Sequence, residues 1–187
     1  MKKISFFTAI SLLLFIQCKK DKDPFLIVNN EIGHLTKEMK ISQLDSIFSK
    51  DSIVKIAAKN SFITRTEQIE IYEKGGIKLL QINTKAATGD DELKINNVQI
   101  FDTRYKTDKG LSLNSTFKDL KENYTIRSIQ NGIQTIIVSL ENSDVYITID
   151  KSVLPENLKN EFGATITEND IPDTAPFKFL MIGWEAE

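Results

Sequence analysis

The sequence predicts an α+β fold: an antiparallel sheet with few helices, arranged as two tandem helix-plus-sheet units behind an exported N-terminus. Three observations predict it. Short runs of alternating apolar and polar residues, separated by Gly-Gly and Asn-Gly, read as strands joined by tight turns. Only two segments carry apolar residues at a clear helical spacing. Those two segments superpose at an offset of 76 residues, and the match runs on into the strands. The boundaries that follow are 1–17 for a signal peptide, 18–29 for a modified cysteine and tether, 30–106 for the first unit and 107–187 for the second.

The N-terminus comes first. Lys2 and Lys3 form a positive start, and Ile4 to Ile16 is uncharged and mostly Ile, Leu and Phe. That length suits the apolar core of a signal peptide. It is too short to cross a bilayer, which takes about 20 residues. Leu12 to Ile16 is apolar on every face, so an amphipathic core helix is a poor alternative. Cys18 follows as the only cysteine and has no partner for an internal disulfide. Leu14-Phe15-Ile16-Gln17-Cys18 resembles a bacterial lipobox, with Gln17 where a small residue is usual. The resemblance implies that Cys18 carries lipid and becomes the first mature residue. Looser lipoboxes of this kind occur in the Bacteroidota, which this Lys-, Asn- and Ile-rich sequence resembles. Lys19-Lys20-Asp21-Lys22-Asp23-Pro24 then reads as a solvated tether. It is similar to the charged signal that sends some lipoproteins of that phylum to the cell surface; a plain spacer on the periplasmic side is the other reading. The localisation expected is the outer membrane, through the lipid.

The folded elements follow. Ile41, Leu44, Ile47 and Phe48 share one helical face, with Ser42 as the expected cap and Asp45 three residues on. Gln68 to Glu73 alternates, Gly75-Gly76 turns the chain, and Ile77 to Ile82 returns as a strand. Leu93 to Phe101 is a further strand. Phe117, Leu120 and Tyr124 define the second helix, capped by Ser115 or Thr116, with Asp119 three residues after Thr116. Asn131-Gly132 predicts a hairpin into Ile133 to Leu140, and Asn142-Ser143-Asp144 turns into Val145 to Ile149. A short helix is expected near Pro155. Pro172 and Pro176 bracket a loop, and Phe177 to Trp184 is the last strand.

At the offset of 76, Ile41 falls on Phe117, Leu44 on Leu120, Phe48 on Tyr124, Ile53 on Ile129, Ile69 on Val145 and Ile71 on Ile147. Gly33 and Gly110 are 77 apart. Any helix-then-strands unit matches another at apolar positions, so chance superposition is the competing reading. Leu154 to Thr174 has no counterpart in the first half. The stretch Thr107 to Tyr124 resembles a pattern in bacterial envelope lipoproteins: a glycine and a small apolar lead into a Ser/Thr-capped helix ending in an aromatic. Tandem units of this length also resemble the beta-lactamase-inhibitor-protein-like fold, which includes small outer-membrane-assembly lipoproteins. The resemblance implies binding or scaffolding, and it transfers no catalytic residue.

Composition narrows the function. Without Lys2 and Lys3 the 24 basic residues fall to 22 against 26 acids, a formal charge of −4. No basic patch is visible, so nucleic acid is not an expected partner. The expected partners are the membrane, through the lipid, and an envelope protein or polysaccharide.

Catalytic, cofactor and metal residues are not predicted. His34 is the only histidine; Glu31 and Glu38 lie near it, and a surface loop explains it. One histidine and one committed cysteine cannot make a typical zinc site. Asp90-Asp91-Glu92 could offer oxygens to calcium, but it lacks the alternating spacing of a calcium loop. Arg104, Tyr105 and Lys106 could form a polar patch where the second unit begins. Asp45-Ser46-Ile47, Asp51-Ser52-Ile53 and Asp173-Thr174-Ala175 match an Asp-Ser/Thr-apolar pattern glycosylated in exported Bacteroidota proteins. The leading expectation is a non-catalytic lipid-anchored binding or assembly module. A carboxylate-based envelope hydrolase is the alternative, and a structural surface lipoprotein without a discrete ligand is the third reading.

Overall fold

The computed structural model describes residues 22–57, 66–86, 92–159, 161 and 163–184. Cys18, the signal segment and Lys19, Lys20 and Asp21 of the charged tether lie outside the described residues. The chain opens with β1 (Leu26–Val28), β2 (Glu31–Ile32) and β3 (Leu35–Thr36). A 3-10 turn at Ile41–Gln43 leads into α1 (Leu44–Ile47). Four antiparallel strands follow: β4 (Ser52–Ala57), β5 (Thr66–Tyr72), β6 (Lys78–Ala86) and β7 (Leu93–Ile100). β8 (Lys106–Thr107) and α2 (Phe117–Asn123) begin the second half. It continues with β9 (Ile126–Asn131), β10 (Thr135–Leu140) and β11 (Val145–Asp150). Two 3-10 turns flank α3 (Glu156–Lys159) before β12 (Phe179–Gly183) closes the chain.

The eight longer strands make one sheet in the order β4-β5-β6-β7-β12-β11-β10-β9. Each half contributes four neighbouring strands, and the two sets meet where β7 pairs antiparallel with β12. The short strands form a second sheet, β3-β2-β1-β8, in which β1 and β8 are parallel. The fold is therefore mostly antiparallel sheet with few helices.

Strict alternation decides which face is buried. Ile71, Leu80, Ile100, Leu180, Ile147 and Val138 stand in one register row and are all buried. Leu44 and Phe48 from the first helical segment, Phe117 and Leu120 from α2, and Ile27, Ile32 and Leu35 from the small sheet join the same core. The helices and small sheet thus cover one face of the large sheet and leave the other open.

Local chemistry explains most boundaries. Gly75 and Gly76 both have positive φ, 110° and 88°, which the β5–β6 turn requires. Thr116 caps α2: its backbone N–H donates to Asp119 Oδ2 at 2.7 Å, and its hydroxyl accepts from the Asp119 N–H. α3 begins directly after Pro155, as expected.

Several expectations need correction. The tether does not reach residue 29: Leu26–Val28 is β1, and Ile27 is 1% exposed in the core. Ser42 is no cap; it lies inside the 3-10 turn, where Gln43 Oε1 accepts from the Lys40 N–H at 2.9 Å. Ile133 belongs to the turn before β10 and is 76% exposed. The last strand is Phe179–Gly183, two residues shorter than expected at its start and one at its end. The 76-residue offset places Leu44 and Leu120 both in helices and Ile53 and Ile129 both in the first strand of their sets, whereas Ile41 lies in the 3-10 turn and Phe117 in α2. It fails for Ile69 with Val145 and Ile71 with Ile147, because β5 is second in its set and β11 third. Alternating strands superpose at any even shift, so apolar matching does not detect the slip.

Candidate functional site

The open face of the large sheet is the most extended candidate surface. Its central register row runs Val54, Glu70, Gln81, Gln99, Met181, Tyr146, Ser139, Ser128 across all eight strands. The next row runs Ile56, Gln68, Asn83, Asn97, Gly183. An ordinary solvated face is rich in Lys and Glu. In these two rows five amides stand with one tyrosine, one methionine and a single charged residue, Glu70, and interface surfaces are similarly poor in Lys and Glu.

The polar side chains are ordered by one another. Glu70 accepts from the Tyr72 hydroxyl (2.6 Å), Lys78 Nζ (2.6 Å) and Gln68 Nε2 (3.0 Å). Lys78 also donates to Gln81 Oε1, and Gln81 Nε2 donates to Asn83 Oδ1. Asn83 Nδ2 then donates to Asn97 Oδ1 at 2.7 Å. The Lys78 and Tyr72 hydrogen bonds hold the Glu70 carboxyl below the usual carboxylate range. The same bond to Glu70 pushes the Tyr72 hydroxyl up. A cross-strand network of this kind fixes the direction of each amide before any ligand arrives.

Tyr146 is placed by Gly183 beside it. A Cβ at Gly183 would sit 3.3 Å from Tyr146 Cε1, so the glycine leaves room for the ring. A hollow of ≈ 520 Å³ opens next to it, lined by Asn96, Asn97, Arg127, Gln130, Ser139 and Tyr146 among others.

A second concavity, ≈ 320 Å³, lies at the edge of the small sheet. The two ends of the Thr107–Tyr124 motif meet there: Asp108, Lys109 and Tyr124 line it together with Asn29, Glu141 and Asn142. The Tyr124 hydroxyl donates to Asp108 Oδ1 at 3.3 Å. Burial and the Asp108 charge push that hydroxyl up. Lys109 Nζ lies 4.4 Å over the Tyr124 ring and donates to the Asn123 carbonyl.

No protein-family model matches the chain, and no curated protein matches it by sequence. Among solved structures it is similar to the uncharacterized protein yfeY from Escherichia coli. That likeness has a TM-score of 0.53 at 13% identity and covers 83% of this chain and 98% of that one. It is a likeness of fold.

The residues that the sequence singles out fall elsewhere. His34 is exposed in the turn between β2 and β3. Glu31 beside it pairs with Lys22, and Glu38 is exposed. Asp90 and Asp91 lie outside the described residues, and Glu92 pairs with Lys40 at 3.2 Å. Among the described residues no three His, Cys, Asp or Glu side chains gather as a metal site.

Arg104 is engaged by its own fold. Its guanidinium bonds both Asp102 oxygens and both Glu73 oxygens, and it stacks 4.4 Å over Phe25. Tyr105 is 3% exposed and meets Phe25 edge-on at 5.0 Å. Burial pushes its hydroxyl up. Lys106 is exposed on β8. Ser46, Ser52 and Thr174 of the glycosylation-like triplets are all exposed. Among the described residues no helix is long and apolar enough to cross a membrane.

Sequence reasoning misses the open face as a site because each strand shows only two or three of its residues. The signal present is the run of Gln and Asn at the outward positions of β5, β6 and β7, where Glu70 and Lys78 are paired with each other.

Proposed function

We propose that the chain is a lipid-anchored, non-catalytic module of the cell envelope, held at the outer membrane through Cys18, whose open sheet face binds an envelope polysaccharide or protein. One observation carries the reading: on a sheet face that the fold leaves uncovered, a hydrogen-bonded network orders Glu70, Gln81, Asn83 and Asn97 across β5, β6 and β7, and Tyr146 stands further along the same face. Planar amides offer a donor and an acceptor side by side, which suits sugar hydroxyls or a peptide backbone. Tyrosine adds a rigid face at low entropic cost. The two halves, 30–106 and 107–187, are read as duplicated units. The matched core positions Leu44 with Leu120 and Ile53 with Ile129, and the four-strand sets on either side of the β7–β12 pair, support that reading.

The test uses the full chain with its anchor intact, incubated with envelope extracts and compared with a Tyr146→Ala/Asn97→Ala variant. The wild type retains a polysaccharide or protein, and the variant retains about tenfold less, the loss expected for about 1.4 kcal/mol at a contact centre. Retention of nothing, or equal retention by both, contradicts the proposal.

The hydrolase alternative rests on the smaller cleft, whose lining includes two carboxylates, Asp108 and Glu141. Turnover of envelope glycans that is abolished by Asp108→Asn or Glu141→Gln would favour it over pure binding.

A further inference from the structure

Among the described residues three of the five exposed large apolar side chains lie at one end of the large sheet; the other two, Val54 and Ile56, stand on the edge strand β4. β5 and β9 run the same way through the antiparallel sheet, so the β5–β6 and β9–β10 turns lie at the same end. Ile77 in the first turn is 53% exposed, and Ile133 in the second is 76% exposed. Phe179, at the start of β12, is 37% exposed and lies at that end too, since β12 pairs antiparallel with β7. Five strand spacings separate the two turns, about 24 Å.

The tether enters at the same end. Phe25 packs under Arg104, and Arg104 grips Glu73, the residue leading into the Ile77 turn. Six residues separate Cys18 from Phe25, and the seven Cα-to-Cα steps cannot exceed about 25 Å even fully extended. A lipid on Cys18 therefore holds Phe25 within that distance of the bilayer, whatever shape the tether takes. Charges of both signs lie at this end: Asp51 is near Glu73 and Arg104, and Glu161 is exposed beside Asn131. Glu73 and Asp102 are taken up by Arg104, and Asp150 by Lys178 at 2.8 Å. Lys74 is exposed beside the Ile77 turn and can keep its ammonium among headgroups while the isoleucine enters the interface.

We infer that this end of the sheet docks on the bilayer, with Ile77 and Ile133 inserted at the headgroup boundary, so that the sheet stands on the membrane and its open face looks sideways. This rests on the reading of Cys18 as the anchor. It explains why two turn isoleucines are left in water by the fold, and it leaves the amide face accessible to a partner in the envelope.

The test does not depend on the cell acylating Cys18. The chain from Cys18 onward is coupled through that thiol to maleimide-bearing lipid in phosphatidylethanolamine/phosphatidylglycerol vesicles, and amide hydrogen exchange is followed with and without vesicles. Exchange in the turns 73–78 and 131–135 slows about threefold or more on vesicles. The 141–145 turn at the opposite end is unchanged. Ile77→Asp/Ile133→Asp, two surface changes, abolishes the slowing while leaving exchange elsewhere as in the wild type. Equal exchange in both turns with and without vesicles overturns the docking. So does slowing that rises with protein concentration in the absence of vesicles, which would mark a second copy as the occupant. Failure of cellular lipidation, read separately from the N-terminal mass, would remove the anchor and leave this result standing.

Discussion

Trp184 Nε1 donates to Asp144 Oδ2 at 3.2 Å, and the same carboxylate oxygen accepts from the Asn30 backbone N–H at 2.6 Å. Trp184 follows β12 and is 1% exposed, while Asp144 sits in the β10–β11 turn. Asn30 turns between β1 and β2 with a φ of 62°, and its neighbour Asn29 donates to the Asn142 carbonyl at 2.8 Å. One side chain thus joins the small sheet to the end of the large one. Asp144→Ala leaves the indole N–H and the turn amide without this acceptor. It is expected to cost about 1–3 kcal/mol, read as a lower urea midpoint. Asp144→Asn keeps an acceptor oxygen and loses less.

The caps give a paired prediction. Thr116→Ala removes the α2 cap and is expected to cost about 1 kcal/mol. Ser42→Ala, at the position that sequence spacing alone would nominate, changes stability by less than about 0.5 kcal/mol, because Ser42 caps nothing. Urea titrations of the two variants check both. Equal losses would contradict the observed start of α1.

These caps show what is legible in the sequence. Helix α2 is readable because Thr116, Asp119 and the spacing of Phe117, Leu120 and Tyr124 all agree. The β5–β6 hairpin is readable because Gly75-Gly76 lies between two clear alternating runs. β1, β2, β3 and β8 are not, since strands of two or three residues have no period to detect. Their existence depends on tertiary partners such as Phe25, whose carbonyl accepts from the Lys106 N–H. The open face needs the strand order, which no local pattern encodes: Gln81 and Tyr146 share a row only because β7 pairs with β12.

Acid sensitivity follows from Asp102. The Arg104 hydrogen bonds hold its carboxyl below the usual carboxylate range. A depressed folded pKa adds stability that is fully present above the unfolded value of about 3.9 and lost as pH falls through the lowered one. Arg104→Met is therefore expected to lower the urea midpoint at pH 7. The gap to wild type should shrink as the pH is taken below about 4. A gap that stays constant as the pH falls through that range would mean that packing over Phe25, rather than charge, is what Arg104 supplies.

The Gly183–Tyr146 contact separates binding from stability. Gly183→Ala places a methyl against the Tyr146 ring, and the ring must shift by a few tenths of an ångström to accept it. Retention of envelope material is expected to fall while the thermal midpoint stays near wild type. Unchanged retention would place the contact surface elsewhere on the sheet.

The anchor at Cys18 orients every part of this account, from the docked end of the sheet to the face left open. Intact-mass and peptide analysis of the protein extracted from its own membranes tests it most directly. The expected result is a mature chain beginning at Cys18 and carrying a diacylglycerol-modified thiol, with Cys18→Ala giving an uncut precursor or a chain released from the membrane. An unmodified Cys18 in the middle of an uncleaved chain, with membrane partition unaffected by Cys18→Ala, would contradict it.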